Sequence, residues 1–200
     1  MLVNHAHQFA YTGPPKTATT SLHQWLSQPS LSVRRFDPEM GDQHATSVPP
    51  LEGYFHFASV RNPFDRAVSL WRHSQVSGPW EDPPVPRMDF PQFVQWIARA
   101  GRGRWFYSRG QAEHLAGVRW DALVRVEHLS VDLSQRVTPI RRLLVVGEYL
   151  EALPRLNTTE HRDWPEYYSE DTAQAILEFW GDDFALGPYS ERFELAGQIT

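Results

Sequence analysis

A lysine and a run of hydroxyl side chains follow a short apolar segment near the start of the chain. Residues 11–22 read Tyr-Thr-Gly-Pro-Pro-Lys-Thr-Ala-Thr-Thr-Ser-Leu, so that Gly13 and Pro14 end the apolar run just before Lys16. A strand, a tight turn and a helix start in this order aim backbone N–H groups at one point, and the helix dipole adds positive charge. Together with the charge of Lys16, this pattern predicts a site for a phosphate group.

A second cationic turn follows an aromatic and β-branched run. Residues 54–60 read Tyr-Phe-His-Phe-Ala-Ser-Val and predict a buried strand, which makes His56 a core residue. Arg61 comes directly after this strand. Asn62 is a favourable helix N-cap and Pro63 a favourable first helical residue, so a helix is expected to begin there. Both cationic turns therefore lie between a strand and a helix.

Predicted strands and helices alternate along the chain. The strands are expected over residues 8–12, 32–36, 54–60 and 122–126. The helices are expected to begin near Thr20, Pro63, Asp89 and Ser169, with a further helical pattern up to Leu144. This alternation predicts an α/β fold, a three-layer sandwich with a mainly parallel central sheet and ligands at the carboxyl ends of the strands. No repeat or linker divides the chain, so a single domain over residues 1–200 is expected.

The composition is typical of a soluble globular protein. The chain has 200 residues, of which 41% are hydrophobic and 22% charged. It has no cysteine, which excludes disulfides and thiolate metal sites. A net charge of −5 argues against general binding to nucleic acid. Because the sequence shows neither a secretory signal nor a membrane-spanning stretch, a cytoplasmic location is expected.

The spacing around Lys16 differs from that of an ordinary nucleoside triphosphate loop. A Walker A loop reads Gly-x-x-x-x-Gly-Lys followed by Ser or Thr, whereas Lys16 comes three residues after Gly13. The spacing thus disfavours an ATP or GTP site with a loop-bound Mg²⁺. An atypical P-loop kinase stays open as an alternative, although the sequence shows no clear apolar run that ends in an aspartate.

Two motifs of the chain resemble the signatures of sulfotransferases that use 3′-phosphoadenosine 5′-phosphosulfate (PAPS). Residues 15–22 are similar to the loop Pro-Lys-Thr-Gly-Thr-Thr-Ser-Leu of that family. Residues 57–71, Phe-Ala-Ser-Val-Arg-Asn-Pro-Phe-Asp-Arg-Ala-Val-Ser-Leu-Trp, resemble its second signature, which holds the 3′-phosphate. Weaker similarity covers residues 8–189 and favours the carbohydrate-type branch with its bacterial relatives. The resemblance implies a P-loop-like fold, PAPS as donor, no metal, and an acceptor hydroxyl on a carbohydrate or glycoconjugate.

The resemblance also implies roles for individual residues. Lys16 would stabilise the leaving 5′-phosphate, and His44 would be the general base for the acceptor hydroxyl. Arg61 and Ser69 would hold the 3′-phosphate, and Arg162 would contact a phosphate from a later loop. The implied donor-binding set is Lys16, Thr17, Ala18, Thr19, Thr20, Ser21, Arg61, Ser69 and Arg162. A non-catalytic module that binds adenosine 3′,5′-bisphosphate is the alternative from another class.

One position departs from the family's pattern. Ala18 stands where the family usually has glycine. If this position requires a positive φ, alanine costs about 1 kcal/mol or more. Since alanine is small, close approach of the backbone to a phosphate is still expected.

Several other polar and aromatic residues have a structural interpretation beside a functional one. His44 could be an ordinary loop histidine, in which case Glu39, Asp42 or Glu52 would be the base. Asp65 and Arg66 are expected to form a pair on the helix surface rather than to bind a ligand.

The loop tryptophans are expected to anchor loops to the core; they are Trp80, Trp105 and Trp164. One basic patch fits an anionic acceptor or a solvated helix end equally well; it consists of Arg99, Arg102, Arg104 and Arg109.

Overall fold

The computed structural model describes most of the chain, in six segments. These are residues 1–27, 34–35, 51–76, 85–101, 106–145 and 162–189. Backbone contacts divide the chain into two units, each built from two stretches of sequence. The first unit is Met1–Arg61 with Gln111–Thr158, and the second is Asn62–Gly110 with Thr159–Thr200.

The first unit contains a mixed sheet. Its described strands are β1 (Leu2–Asn4), β2 (Phe9–Thr12), β3 (Arg34–Arg35), β4 (Phe55–Val60) and β5 (Ala122–Arg125). They are arranged in the order β3-β1-β2-β4-β5. The β2–β4 and β4–β5 pairs are parallel, whereas β1 pairs antiparallel with β2 and with β3. The prediction of a mainly parallel sheet therefore holds for the three strands β2, β4 and β5, and the other two strands require a correction.

The sequence did not predict β1, which begins an antiparallel hairpin. β1 and β2 are joined by a short turn in which the Asn4 side chain accepts a hydrogen bond from the backbone N–H of His7, at 2.8 Å. Gln8 closes the turn with a positive φ of 51°. A three-residue strand is too short to show an alternating pattern, and for this reason it escaped prediction.

Four helices of the described segments accompany the sheet in the first unit. They are α1 (Thr19–Leu26), α4 (Gln111–Leu115), α5 (Leu129–Arg136) and α6 (Thr138–Val145). The apolar side chains of α1, α5 and α6 pack with those of the sheet in one core; its largest members include Phe9, Tyr11, Leu22, Trp25, Phe57, Leu133 and Ile140. The sheet strands β2 and β4 thereby hold the segments that follow them in fixed positions.

The second unit is helical, and its helices begin at local capping signals. The described helices are α2 (Pro63–Val76), α3 (Phe90–Ala100) and α7 (Glu170–Phe184). Asn62 accepts from the backbone N–H of Phe64 at the start of α2. Asp89 and Ser169 each form a capping box at the starts of α3 and α7. These three starts agree with the predicted ones. None of the helices in the described segments is both long and apolar enough to cross a membrane.

Aromatic side chains make up much of the core in the second unit. Phe64 stacks on Trp164, with ring centroids 5.6 Å apart, and meets Tyr168 and Phe184 edge to face. The Tyr168 hydroxyl donates to the backbone carbonyl of Phe64 at 2.8 Å. Trp164 thus anchors its segment to the core, as the sequence predicted for the tryptophans.

Candidate functional site

The segment that joins β2 to α1, residues 13–18, is called here the lysine loop. Two of its residues have left-handed backbone conformations: Lys16 with φ of 68° and Ala18 with φ of 60°. Ala18 is also the N-cap of α1, and its carbonyl accepts the first helical hydrogen bond, from the N–H of Leu22 at 3.0 Å. The position occupied by glycine in the family therefore does require a positive φ here. Left-handed backbone costs a non-glycine residue about 1–2 kcal/mol.

A chain of three hydroxyl groups braces the lysine loop. The Thr17 hydroxyl donates to the Pro14 carbonyl at 2.7 Å, so its oxygen must accept in its 2.8 Å contact with Ser59. The Ser59 oxygen then accepts from the Tyr11 hydroxyl, also at 2.8 Å. Burial raises the pKa of Tyr11 well above its usual value despite the opposing effect of the Ser59 hydrogen bond, and this keeps the phenol protonated as a donor. All hydrogen bonds in the chain therefore run from Tyr11 towards the loop.

Position 13 has to be glycine because the hydroxyl chain leaves no room for a side chain, and not because of its backbone angles. A Cβ atom added at Gly13 would lie 2.5 Å from the Ser59 oxygen and 2.7 Å from the Tyr11 oxygen. Any larger residue would push these hydroxyls apart. The Thr17 hydroxyl uses its proton within this chain, so a bond from Thr17 to an anion would have to come from its backbone N–H.

The first turn of α1 provides further hydrogen-bond donors. Thr19, Thr20 and Ser21 occupy this turn, where backbone N–H groups have no acceptor within the helix. The Thr19 and Ser21 side chains are buried and that of Thr20 is exposed. Thr20 is therefore the residue of this turn whose hydroxyl is best placed to meet a ligand from solvent.

Arg61 brings a second positive charge to the lysine loop. Because β2 and β4 are parallel, the lysine loop and Arg61 follow strands that end at the same edge of the sheet. The Arg61 guanidinium donates to the Lys16 carbonyl at 3.3 Å. Burial and the nearby Arg61 charge lower the pKa of Lys16 from 10.5 to about 8. Two cations near enough to shift a pKa favour the binding of an anion, which would relieve their repulsion.

Lys16 is also the only lysine among the 200 residues, since all 18 other Lys and Arg positions are arginine. Arginine keeps its charge at any working pH, whereas lysine is a compact ammonium whose pKa responds to its surroundings. The single lysine of the chain thus lies at the point where β2 meets a helix start.

Gln111, the first residue of α4, clamps the backbone of Arg61. Its side-chain oxygen accepts from the Arg61 N–H and its side-chain nitrogen donates to the Arg61 carbonyl, both at 2.8 Å. Gln111 has no exposed surface. Sequence reasoning missed this residue, because the contact spans 50 residues and no local pattern marks it.

Arg125, at the end of the neighbouring strand β5, is a cation whose surroundings differ from those of Arg61. The Arg125 side chain makes two hydrogen bonds of 2.8 Å to the buried Asp132 carboxylate, and its backbone N–H makes a third of 2.9 Å. Arg136 adds an ion pair at 3.2 Å. Although burial by itself raises the pKa of Asp132, these hydrogen bonds and charges lower it below its usual value. Arg125 is thus held in a structural ion pair.

The second unit contains two further residues of the predicted set. Ser69 lies partly buried on α2. The Arg162 side chain is 68% exposed, lies 3.8 Å from Glu166 and packs over the Tyr167 ring at 5.2 Å. Several predicted residues lie outside the described segments; these are His44, Glu39, Asp42, Trp80, Trp105, Arg102 and Arg104.

The predicted surface position of Arg66 is wrong. Its side chain has no exposed area, and one guanidinium nitrogen donates to the carbonyls of Arg109 at 2.9 Å and Tyr107 at 3.3 Å. The other nitrogen lies 3.7 Å from the buried Asp183 carboxylate, and the guanidinium lies over the Trp180 ring at 4.6 Å. Helical spacing alone could not show that this side chain points into a core. Arg66, Trp180 and Asp183 are called here the Arg66 cluster.

The fold and the site define an α/β protein that presents two cations at the carboxyl edge of parallel strands, an arrangement typical of phosphate-binding proteins. The family model described as the sulfotransferase family matches residues 1–190. The chain therefore belongs to the sulfotransferase family, which confirms the resemblance seen in its two motifs. Neither the comparison with curated proteins nor that with solved structures returned a match.

Proposed function

We propose that this sulfotransferase takes its sulfuryl group from PAPS and transfers it to a hydroxyl of a carbohydrate or glycoconjugate. The contact between Arg61 and the lysine loop is the observation that supports this donor most. It brings the Arg61 guanidinium to the backbone of Lys16, and the Arg61 charge is near enough to the Lys16 ammonium to lower its pKa, in addition to the larger effect of burial. A nucleotide with separate 3′ and 5′ phosphate groups offers one anion to each of them.

The residues of the site suit the chemistry of sulfuryl transfer. When bound, the donor supplies the sulfuryl group together with a leaving 5′-phosphate on which negative charge grows during transfer. Lys16 would donate a hydrogen bond to the oxygen that bears this charge. The N–H groups of residues 17–21 would hold the 5′-phosphate, and Arg61 would grip the 3′-phosphate with its two-pronged guanidinium.

The choice of amino acid at position 16 supports a chemical role. A protein that uses arginine at all 18 other basic positions keeps lysine here. For charge alone, arginine would serve as well. A lysine with a pKa of about 8 can give its proton to a leaving oxygen more readily than an arginine can.

The remaining parts of the prediction belong to the same proposal. Ser69 would add a hydroxyl to the 3′-phosphate, Arg162 would contact a phosphate, and His44 would be the base, with Glu52 among its alternatives. We further propose a single catalytic domain over residues 1–200, a reaction without metal and a cytoplasmic location.

Transfer of a radioactive label tests the proposal. The protein would be incubated with ³⁵S-labelled PAPS and neutral, uronic and sulfated glycans, with EDTA present. We expect label on at least one glycan. Lys16→Ala should lower the transfer rate about 10²–10³-fold, as removal of one donor to a transition-state oxygen does elsewhere, and should leave binding of adenosine 3′,5′-bisphosphate measurable. Arg119→Ala, which removes an 83% exposed cation of the same unit, is the matched control and should be fully active.

Other results would favour the alternatives. A strict requirement for ATP and Mg²⁺ would point to a kinase. Tight binding of adenosine 3′,5′-bisphosphate without transfer to any glycan would favour a non-catalytic binding module. Equal activity of Lys16→Ala and the wild type would contradict the proposed role of the lysine.

A further inference from the structure

The backbone of Arg61 lies just beyond the end of β4. There the Gln111 side chain makes the hydrogen bonds that a neighbouring strand would otherwise make. The last register pair of β4 and β5 joins Val60 to Arg125. Arg61 follows one residue later, and both its N–H and its carbonyl are paired with the amide of Gln111 at 2.8 Å. A strand partner would offer the same two groups, a donor and an acceptor.

Only a primary amide of this length can make both hydrogen bonds. Glutamate offers acceptors alone, and methionine of similar length offers neither a strong donor nor a strong acceptor. Since Gln111 is fully buried, its loss would leave the Arg61 backbone without these partners. A buried backbone group without a partner moves to find one, or destabilises the fold.

We propose that Gln111 is a positioning residue that holds Arg61 in place for the 3′-phosphate of the donor, an inference that rests on the function proposed above. Movement of the Arg61 backbone would displace its guanidinium from the 3′-phosphate. Gln111 would therefore act on donor recognition through Arg61 and not by touching the donor.

A pair of nucleotides separates this role from a merely structural one. Adenosine 3′,5′-bisphosphate has the 3′-phosphate and adenosine 5′-phosphate lacks it. We expect the wild type to bind the bisphosphate at least about tenfold more tightly than adenosine 5′-phosphate, because only the bisphosphate can accept charge-assisted hydrogen bonds at a 3′-phosphate. Gln111→Met should lose most of this preference while its affinity for adenosine 5′-phosphate stays the same. Titration calorimetry measures both affinities.

A double variant and a second substitution sharpen the test. In an Arg61→Ala background, Gln111→Met should cause no further loss of bisphosphate affinity, because both changes remove the same interaction. Gln111→Glu keeps the acceptor for the Arg61 N–H and loses the donor, so it should retain part of the preference and serves where Gln111→Met does not fold.

The outcomes distinguish the inference from the function on which it rests. If the wild type shows no preference for the 3′-phosphate, the proposed function fails. If the wild type shows the preference and both Gln111 variants keep it, the positioning role is wrong. An equal loss of affinity for both nucleotides would show a general structural role and would also overturn the inference.

Discussion

Arg61 and Arg66 lie five residues apart in the same sequence signature, yet their surroundings differ in kind. The Arg66 guanidinium is fully buried and meets two backbone carbonyls, a carboxylate and an indole ring, all from its own unit. The partly buried Arg61 guanidinium donates to the lysine loop, and its charge lowers the pKa of Lys16. The Arg66 charge faces a buried carboxylate, whereas the Arg61 charge lies near the Lys16 ammonium.

This difference gives the two arginines different physical settings. A buried arginine with an acidic partner contributes to the fold, and removal of one member leaves a costly unpaired charge. Two nearby cations repel each other, and a bound anion would relieve that repulsion. Arg125, which is bound to Asp132 at the end of β5, is of the first kind. The surroundings of Arg66 and Arg125 indicate structural roles, and those of Arg61 agree with its proposed role in binding.

The largest expected effect is on stability, from Arg66. Arg66→Ala leaves the Asp183 carboxylate buried without its cation and should lower the free energy of unfolding by about 3–5 kcal/mol. Urea denaturation followed by fluorescence of the eight tryptophans measures this change. Arg61→Ala is the matched control and should change stability by less than about 1 kcal/mol. Equal stability of the two variants would contradict the assignment of a structural role to Arg66 alone.

The parts of this fold that were predictable are those with local causes. The starts of α2, α3 and α7 follow from Asn62, Asp89 and Ser169, whose side chains bond to backbone N–H groups two or three residues away. The buried β4 follows from its own aromatic and branched residues. For Ala18, the usual glycine of the family raised the question of a positive φ without deciding it, and the φ of 60° answers it.

The parts that escaped prediction depend on distant residues. Arg66 is buried because Asp183 and Trp180, more than a hundred positions later, provide its partners. Gln111 meets Arg61 across 50 residues. The hydroxyl chain that includes Thr17 requires Ser59 from β4, so the sequence alone could not show that the Thr17 hydroxyl is bonded within the protein. Sequence patterns report spacing along one element and contain no record of such tertiary partners.

A smaller effect should appear in the pH dependence of the site. With a pKa of about 8, Lys16 loses its proton as the pH rises through this value, so kcat/KM should fall above about pH 8 if the charged form is the active one. Arg61→Gln removes a repelling charge and should raise the pKa of Lys16. Since Lys16 is the only lysine, reductive ¹³C-methylation gives one side-chain NMR signal from which the pKa is read directly.

The sign of the linked stability effect follows from the same pKa. The folded chain releases the Lys16 proton near pH 8, whereas the unfolded chain keeps it up to about 10.5. Between these values the unfolded state holds more protons, so the contribution of Lys16 to the free energy of unfolding should rise with pH.

In the NMR measurement of the Lys16 pKa, Arg119→Gln is the control. This change at an exposed cation should leave the pKa of Lys16 unchanged. A Lys16 pKa near 10.5 in the wild type would contradict the proximity of the two cations.

The smallest expected effect concerns left-handed backbone strain. The lysine loop has this strain at Ala18, and the three residues of the Arg66 cluster do not have it. Ala18→Gly removes the left-handed penalty of about 1–2 kcal/mol and adds unfolded-state entropy worth about 0.4–1 kcal/mol, so it should stabilise the protein by about 0.5–1 kcal/mol. Ala98→Gly, at an exposed position inside α3, should instead destabilise it by about 1 kcal/mol. Urea denaturation of the two variants gives opposite shifts in the unfolding midpoint if Ala18 is strained. Shifts in the same direction would mean that glycine acts alike at both positions, and the lysine loop would then hold Ala18 without strain.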